Sequence, residues 1–189
     1  MKYITEERFD ESSFIEKKLE QGQYEYCVFT SCKLKDADLS KCTFIECEFL
    51  DCDMSNANID RTSFQNIIFR GCKLIGLRFD DCSTIALSFE FHDCLMNNCS
   101  FYQMVLKKKS FHDSKLDEVD FSEADLTGCI FDNCDFRGAI FDRTILESTD
   151  LTTSYNFSID PEKNRVFKAK FSLYGLKGLL EKYKLIIEE

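Results

Sequence analysis

From Phe9 to Leu151 an apolar residue returns at every fifth position, an interval that neither a helix nor a strand produces. The count runs Phe9, Phe14, Leu19, Tyr24, Phe29 and onward to Phe79 and Phe89, with Thr84 as the break. Two extra residues then shift the frame, and the count resumes from Met96 and Phe101 to Leu151. A helical face repeats near 3.6 residues and a strand face at 2, so a period of five belongs to a repeat architecture. Each repeat in such a chain buries its apolar face against its neighbours.

A second series runs in step with the first. Cys27, Cys32, Cys42, Cys47, Cys52, Cys72, Cys82, Cys94, Cys99, Cys129 and Cys134 all lie two residues before a member of the apolar series. Elsewhere the same slot holds small residues such as Ala37, Ala57, Thr62, Val119, Ala124, Ala139 and Thr144. One slot of each five is therefore large and inward, another small and inward, and the remaining three face water. An odd cysteine count confined to the small slot predicts reduced thiols acting as small hydrophobes. The five-residue spacing of Cys94/Cys99 and Cys129/Cys134 is not that of a zinc site, so no metal or cofactor is expected. The amino-terminal MKYITEERFD has no apolar leader core, and the expectation is a cytoplasmic protein.

The segments Ala37-Asp38-Leu39-Ser40-Lys41, Ala57-Asn58-Ile59-Asp60-Arg61, Ala124-Asp125-Leu126-Thr127-Gly128 and Cys134-Asp135-Phe136-Arg137-Gly138 resemble the A(D/N)LXX consensus of the pentapeptide-repeat family. The resemblance covers about residues 23–151. It implies an all-β fold: a right-handed quadrilateral β-helix, four pentads to a coil, with a short C-terminal α-helix added by the tail. Stacking every twentieth residue then places Phe9, Phe29, Phe49, Phe69, Phe89, Phe111, Phe131 and Leu151 on one side as a phenylalanine ladder. Seven to eight coils at strand spacing make a rod ~35 Å long. Gly71, Gly76, Gly128 and Gly138 fall two residues after an inward residue, at the corner where a positive φ is useful.

Three regions follow. Residues 1–22 put Lys2, Glu7, Ser12 and Lys17 in the small slot and are expected to be an irregular cap and first turn. Residues 23–151 form the regular β-helix, with a bulge near 80–93. Residues 152–189, where the period stops, form a carboxyl-terminal cap and helix. Lys107-Lys108-Lys109 places Lys109 in a small slot, so that side chain must turn outward; the cluster is either a solvated corner or a basic patch. Ser172 is a possible helix N-cap ahead of Leu173, Leu176, Leu179, Leu180 and Tyr183 on one face, although Gly175 and Gly178 weaken the helix. That face either seals the rod in a monomer or pairs two chains; the resemblance to Qnr and MfpA types, which dimerise through their carboxyl ends, favours a homodimer.

No nucleophile, metal or phosphate-binding motif is present, and the expectation is that the chain is not an enzyme. His92 and His112 have no spacing partner. Charge is more informative. The net charge is −10, which argues against direct binding to nucleic acid or an anionic membrane. Residues 1–151 carry −12 and the tail +2. The phenylalanine-ladder side is the most acidic: Asp10, Glu11, Glu48, Asp51, Glu90, Asp113, Asp132 and Asp150 face Arg8 and Arg70. Two functions fit: a protein-binding scaffold with an acidic face, or a DNA mimic. The resemblance implies that a mimic would bind the type II topoisomerases, DNA gyrase and topoisomerase IV, and protect them from quinolones or toxins. The chain lacks the two long loops of the Qnr type and is in that respect similar to the MfpA type.

Overall fold

Pentads wind into square coils, and residues one coil apart pair through their backbones. The computed structural model describes residues 2–14 and 18–186. Its strands are β1 (Lys2–Thr5), β2 (Arg8–Phe9), β3 (Gly22–Glu25), β4 (Val28–Thr30), β5 (Thr43–Ile45), β6 (Glu48–Leu50) and β7 (Ser63–Gln65). They continue as β8 (Ile67–Arg70), β9 (Phe89–His92), β10 (Ser110–His112), β11 (Ile130–Asp132), β12 (Asp150–Leu151) and β13 (Lys170–Phe171). All pairings are parallel, as in the β-helix expected from the sequence. One side of the square is the sheet β1-β3-β5-β7; another is a nine-stranded sheet from β2 to β13. The remaining sides carry single bridges, such as Lys33 to Asp53 to Lys73 and Ser100 to Asp120 to Ile140. Nine layers at strand spacing make a rod of ~38 Å.

The core is the column enclosed by the four sides. On the nine-stranded side the rings of Phe9, Phe29, Phe49, Phe69, Phe91, Phe111 and Phe131 stack with centroids 4.6–5.3 Å apart. A second stack, Phe79, Phe101, Phe121 and Phe141, meets the first edge-on, as between Phe101 and Phe111 at 6.0 Å and 89°. Like rings stack between coils and unlike sides meet at right angles, both geometries that the aromatic quadrupole favours.

The small slot has a role beyond its size. Its side chain donates a hydrogen bond to the carbonyl of the inward residue 23 positions earlier: Cys47 Sγ to Tyr24 O at 3.3 Å, Cys72 Sγ to Phe49 O at 3.2 Å, Cys129 Sγ to Leu106 O at 2.9 Å. Thr62, Thr144, Thr149 and Ser154 make the same bond from their hydroxyls, at 2.7–2.9 Å. The slot selects a small donor, which cysteine, threonine and serine satisfy and alanine does not.

Corners turn through residues with positive φ. At a representative one, Leu39 O accepts from Cys42 N–H at 3.1 Å across Ser40-Lys41, with Lys41 at φ 59°, a type II turn. The carboxylate of Asp38 accepts from Ser40 N–H at 3.1 Å and steadies the same turn. Gly71, Gly76, Gly128 and Gly138 occupy corners of this hand, as expected.

Four details depart from the sequence reading. The ladder residue is Phe91, not Phe89: Phe69 pairs with Phe91, while Phe89 pairs with Ile67 in the small slot. The two extra residues are absorbed earlier, where Ser83 N–H bonds Thr62 O, Ser88 N–H bonds Phe64 O, and residues 84–87 loop out. Thr84 and Ile85 are exposed there, and half-buried Leu87 packs on the core in place of Thr84. Secondly, residues 2–9 are not irregular; β1 and β2 pair in register with β3 and β4, leaving Lys2, Glu7 and Ser12 exposed. Lys17 lies outside the described residues. Thirdly, the coil continues past Leu151: Asn164 fills a small slot, its amide donating to Phe141 O at 3.0 Å, and Leu151 pairs with Phe171. Finally, Lys109 is half-buried, with its amine 3.2 Å from Ser88 Oγ beside the looped segment, while Lys107 pairs with Asp125 at 3.0 Å.

The tail is a broken helix, with α1 (Lys177–Leu180) flanked by 3-10 turns at Tyr174–Leu176 and Glu181–Tyr183. Ser172 Oγ caps it by accepting from Gly175 N–H at 3.0 Å. Gly175 and Gly178 are seats for Phe157 rather than defects. A Cβ on Gly175 would lie 2.7 Å from the ring tip of Phe157, and one on Gly178 would lie 2.8 Å from the ring and collide with the Phe157 carbonyl.

The acidic face as a candidate protein-binding surface

On the nine-stranded side every ladder ring points inward and its neighbours along the strand point out. Three outward columns result. The residue before each ladder position contributes Glu48, Glu90 and Asp150; the residue after it contributes Asp132; the corner residue contributes Asp51 and Asp113. The structure therefore brings all six predicted acidic residues to one side. It adds Asp93, a corner residue at φ 52° that moves onto this face once Phe91 is the ladder member.

Neutralisation along this face is uneven. Asp150 is held by Lys170 Nζ at 3.1 Å, so the top of the face is less negative than its composition suggests. Hydrogen bonding from the Thr152 hydroxyl, aided by its backbone N–H and by Lys170 and opposed by desolvation, keeps the Asp150 carboxyl below its ordinary value. Lower down, Glu48, Asp51, Asp93 and Asp113 are exposed. Asn133 donates to Asp113 at 2.8 Å and orients it outward without cancelling its charge.

The two histidines, which lacked a partner by spacing, sit one above the other on this face, with ring centroids 4.9 Å apart and planes 8° from parallel. Glu90 Oε2 lies 3.5 Å from His92 Nε2, and Asp132 Oδ2 lies 3.6 Å from His112 Nδ1. Their interval of twenty residues was the available signal, visible once the frame shift is placed before Phe89.

The face holds no nucleophile poised by a base. All eleven cysteines are free and buried. Burial pushes the thiols of Cys47, Cys99, Cys129 and Cys134 up to about 12, so the reactive thiolate is scarce. Among the described residues no cluster of three or more potential ligands is arranged to hold a metal ion, and no helix is long and apolar enough to cross a membrane.

The predicted dimer residues fall at the cap. Leu173, Leu176, Leu180 and Tyr183 are exposed, Leu173 at 81%, whereas Leu179 turns onto the core. Tyr183 also donates through its hydroxyl to Glu162 at 3.0 Å.

Two family models match this architecture. Residues 23–90 match a pentapeptide repeat region, and residues 120–154 match pentapeptide repeats in eight copies. The chain belongs to the pentapeptide-repeat family. No curated protein sequence matches it significantly. Among solved structures it is similar to a trypsin-treated variant of QnrB1, a plasmid-mediated fluoroquinolone resistance protein, at 21% identity and a TM-score of 0.50. That similarity covers 98% of this chain and 97% of the other. It is also similar to HetL from Nostoc sp. strain PCC 7120, a pentapeptide repeat protein involved in heterocyst differentiation regulation. There the identity is 15%, the TM-score 0.42, and the coverage 89% of this chain and 84% of that one. At its identity the likeness to QnrB1 bears on the fold alone.

Proposed function

We propose that the protein is a non-enzymatic, cytoplasmic, protein-binding scaffold that engages a basic partner through the nine-stranded face. The observation that carries this reading is the exposure of Glu48, Asp51, Glu90, Asp93, Asp113 and Asp132 along one stiff side whose only described cations are Arg8, Arg70 and Lys170. Aligned charge of one sign on a rigid support raises association rates with an oppositely charged surface and rejects like-charged ones. A variant carrying Glu48→Lys, Asp113→Lys and Asp132→Lys keeps the core intact. Affinity capture from source cells, followed by binding of each captured partner to both forms, supports the reading if the reversed face loses the partner. Equal binding to both forms refutes it.

A second reading is a DNA mimic that binds DNA gyrase or topoisomerase IV and confers quinolone or toxin protection. It is favoured by dimension: a rod of ~38 Å approximates one turn of duplex DNA, ~34–36 Å, with negative charge displayed along it. Supercoiling by purified gyrase, with and without ciprofloxacin, tests it; neither inhibition nor protection at micromolar protein would exclude it.

The cap supports a homodimer through Leu173, Leu176, Leu180 and Tyr183, because an exposed apolar strip on a terminal repeat is stabilised by a two-fold copy of itself. Light scattering on the parent and on Leu176→Asp/Leu180→Asp measures this. A parent that is already monomeric removes the proposal.

A further inference from the structure

The rod is acidic, yet its carboxyl-terminal end is not. Residues 1–151 carry −12 and residues 152–189 carry +2. Between the last coils and the cap helix runs a groove of about 640 Å³, in the size range of ligand clefts. Its apolar lining is buried Phe157 with exposed Leu180 and Leu185. Arg137, Lys177 and Lys184 rise around it. A second hollow of about 360 Å³ adjoins it, sharing Asn156, Phe157, Lys177 and Gly178.

Lys182 is held by Asp160 and Glu162 at 2.6 Å each, and Arg165 and Lys170 pair with Glu147 and Asp150. Lys177 and Lys184 form no ion pair among the described residues, and Arg137 reaches Asp135 only at 3.5 Å from a largely exposed position. Among the described residues the single carboxylate in the lining is Glu181. Three cations around an apolar lining form a surface complementary to a chain that is both acidic and partly apolar.

We propose that this groove docks a short acidic peptide segment of a partner protein, anchored by one or two apolar side chains on Leu180 and Leu185. A nucleic acid fits less well. Its continuous phosphate backbone would extend beyond the groove, within a Debye length of ~10 Å, onto a rod of charge −12. A peptide of a few residues ends before that repulsion begins. This inference does not depend on the acidic-face reading, because the groove lies at the rod's end and uses none of that face's carboxylates; it shares Leu180 with the proposed homodimer strip, so peptide and second copy compete for that residue.

The test uses fluorescence anisotropy at low salt with the full chain. The probes are a fluorescein-labelled synthetic peptide of aspartates and glutamates flanking a leucine-phenylalanine pair, the same peptide with lysine at every acidic position, and a labelled DNA duplex. The acidic peptide is expected to saturate, to weaken by about tenfold or more in Lys177→Glu/Lys184→Glu, and to weaken with added salt. The duplex is expected not to saturate, and binding of the lysine peptide, drawn to the acidic face, is expected not to weaken in Lys177→Glu/Lys184→Glu. Both substitutions are on exposed side chains, and circular dichroism verifies that the double variant remains folded. Failure of the acidic peptide to saturate, equal binding by the double variant, or tighter binding of the duplex overturns the proposal.

Discussion

Replacing Phe49 with alanine tests whether the stacked column, rather than the corners or the surface, holds this rod together. Phe49 is completely buried, lies 4.6 Å from Phe29 and 5.2 Å from Phe69 in near-parallel stacks, and meets Phe44 edge-on at 5.4 Å. Those three rings are themselves tied to paired backbones one coil apart, so they have little freedom to collapse into the space. The loss is therefore expected near the upper part of the usual range for Phe→Ala, ~3–5 kcal/mol. Phe9 provides the internal comparison. It belongs to the same ladder and stacks on Phe29 at 4.8 Å, but it is half-buried and has no ladder ring below it. Its truncation should cost about 1–2 kcal/mol, since much of its apolar surface is wet in the folded state. Urea denaturation followed by far-UV circular dichroism measures both by linear extrapolation. In a nearest-neighbour repeat array the central variant should also lose cooperativity, because the coils on either side become coupled less strongly. A Phe9→Ala loss equal to or larger than that of Phe49→Ala would refute the column as the source of stability.

Substitutions at four other sites probe separate parts of the structure. Cys72→Thr keeps a small donor for the Phe49 carbonyl and should be close to neutral, whereas Cys72→Val fills the slot without a donor and should cost about 0.5–1.5 kcal/mol more in the same denaturation assay. Gly178→Ala drives a methyl against Phe157 and should loosen the cap, lowering stability by ~1–3 kcal/mol in calorimetry, while Gly128→Ala, at an open corner with φ 69°, tests backbone strain alone. Asp150 contributes stability that is full above its ordinary value of 3.8 and is lost as the pH falls through its lowered folded value, because the folded state holds the carboxylate more firmly than the unfolded chain does. Asp150→Asn should therefore reduce the acid-side slope of the melting temperature, and an unchanged slope would contradict the role given to Thr152 and Lys170.

Much of the fold was legible because the chain repeats its own constraint. The inward column, the small slot and the twenty-residue stack depend on spacing alone, and spacing survives without coordinates. Distinguishing Phe89 from Phe91 was not possible that way. Both are buried aromatics, and the ladder member is decided by whether Ile67 or Phe69 lies beneath, which depends on where residues 84–87 leave the coil. The continuation to Phe171 was masked by Asn156 and Pro161, which interrupt the count while Asn164 and Lys170 bond the coil below and Phe171 pairs with Leu151. The acidic face could be assembled from the sequence because charges twenty apart align, but Asp93 and the stacked histidines required the corrected register.

What the amino-acid order determined by itself is the five-residue alternation of buried and wetted side chains, since that depends only on which residues water rejects. What tertiary structure alone decided is how adjacent coils satisfy one another. The Cys72 thiol reaches the Phe49 carbonyl only when the coil below lies beneath it, and Gly175 and Gly178 become contact points only when Phe157 is brought against them. The groove at the carboxyl end belongs to the same class, because its cations and apolar lining come from residues 137–185 and converge only after the last coil closes and the cap folds over it.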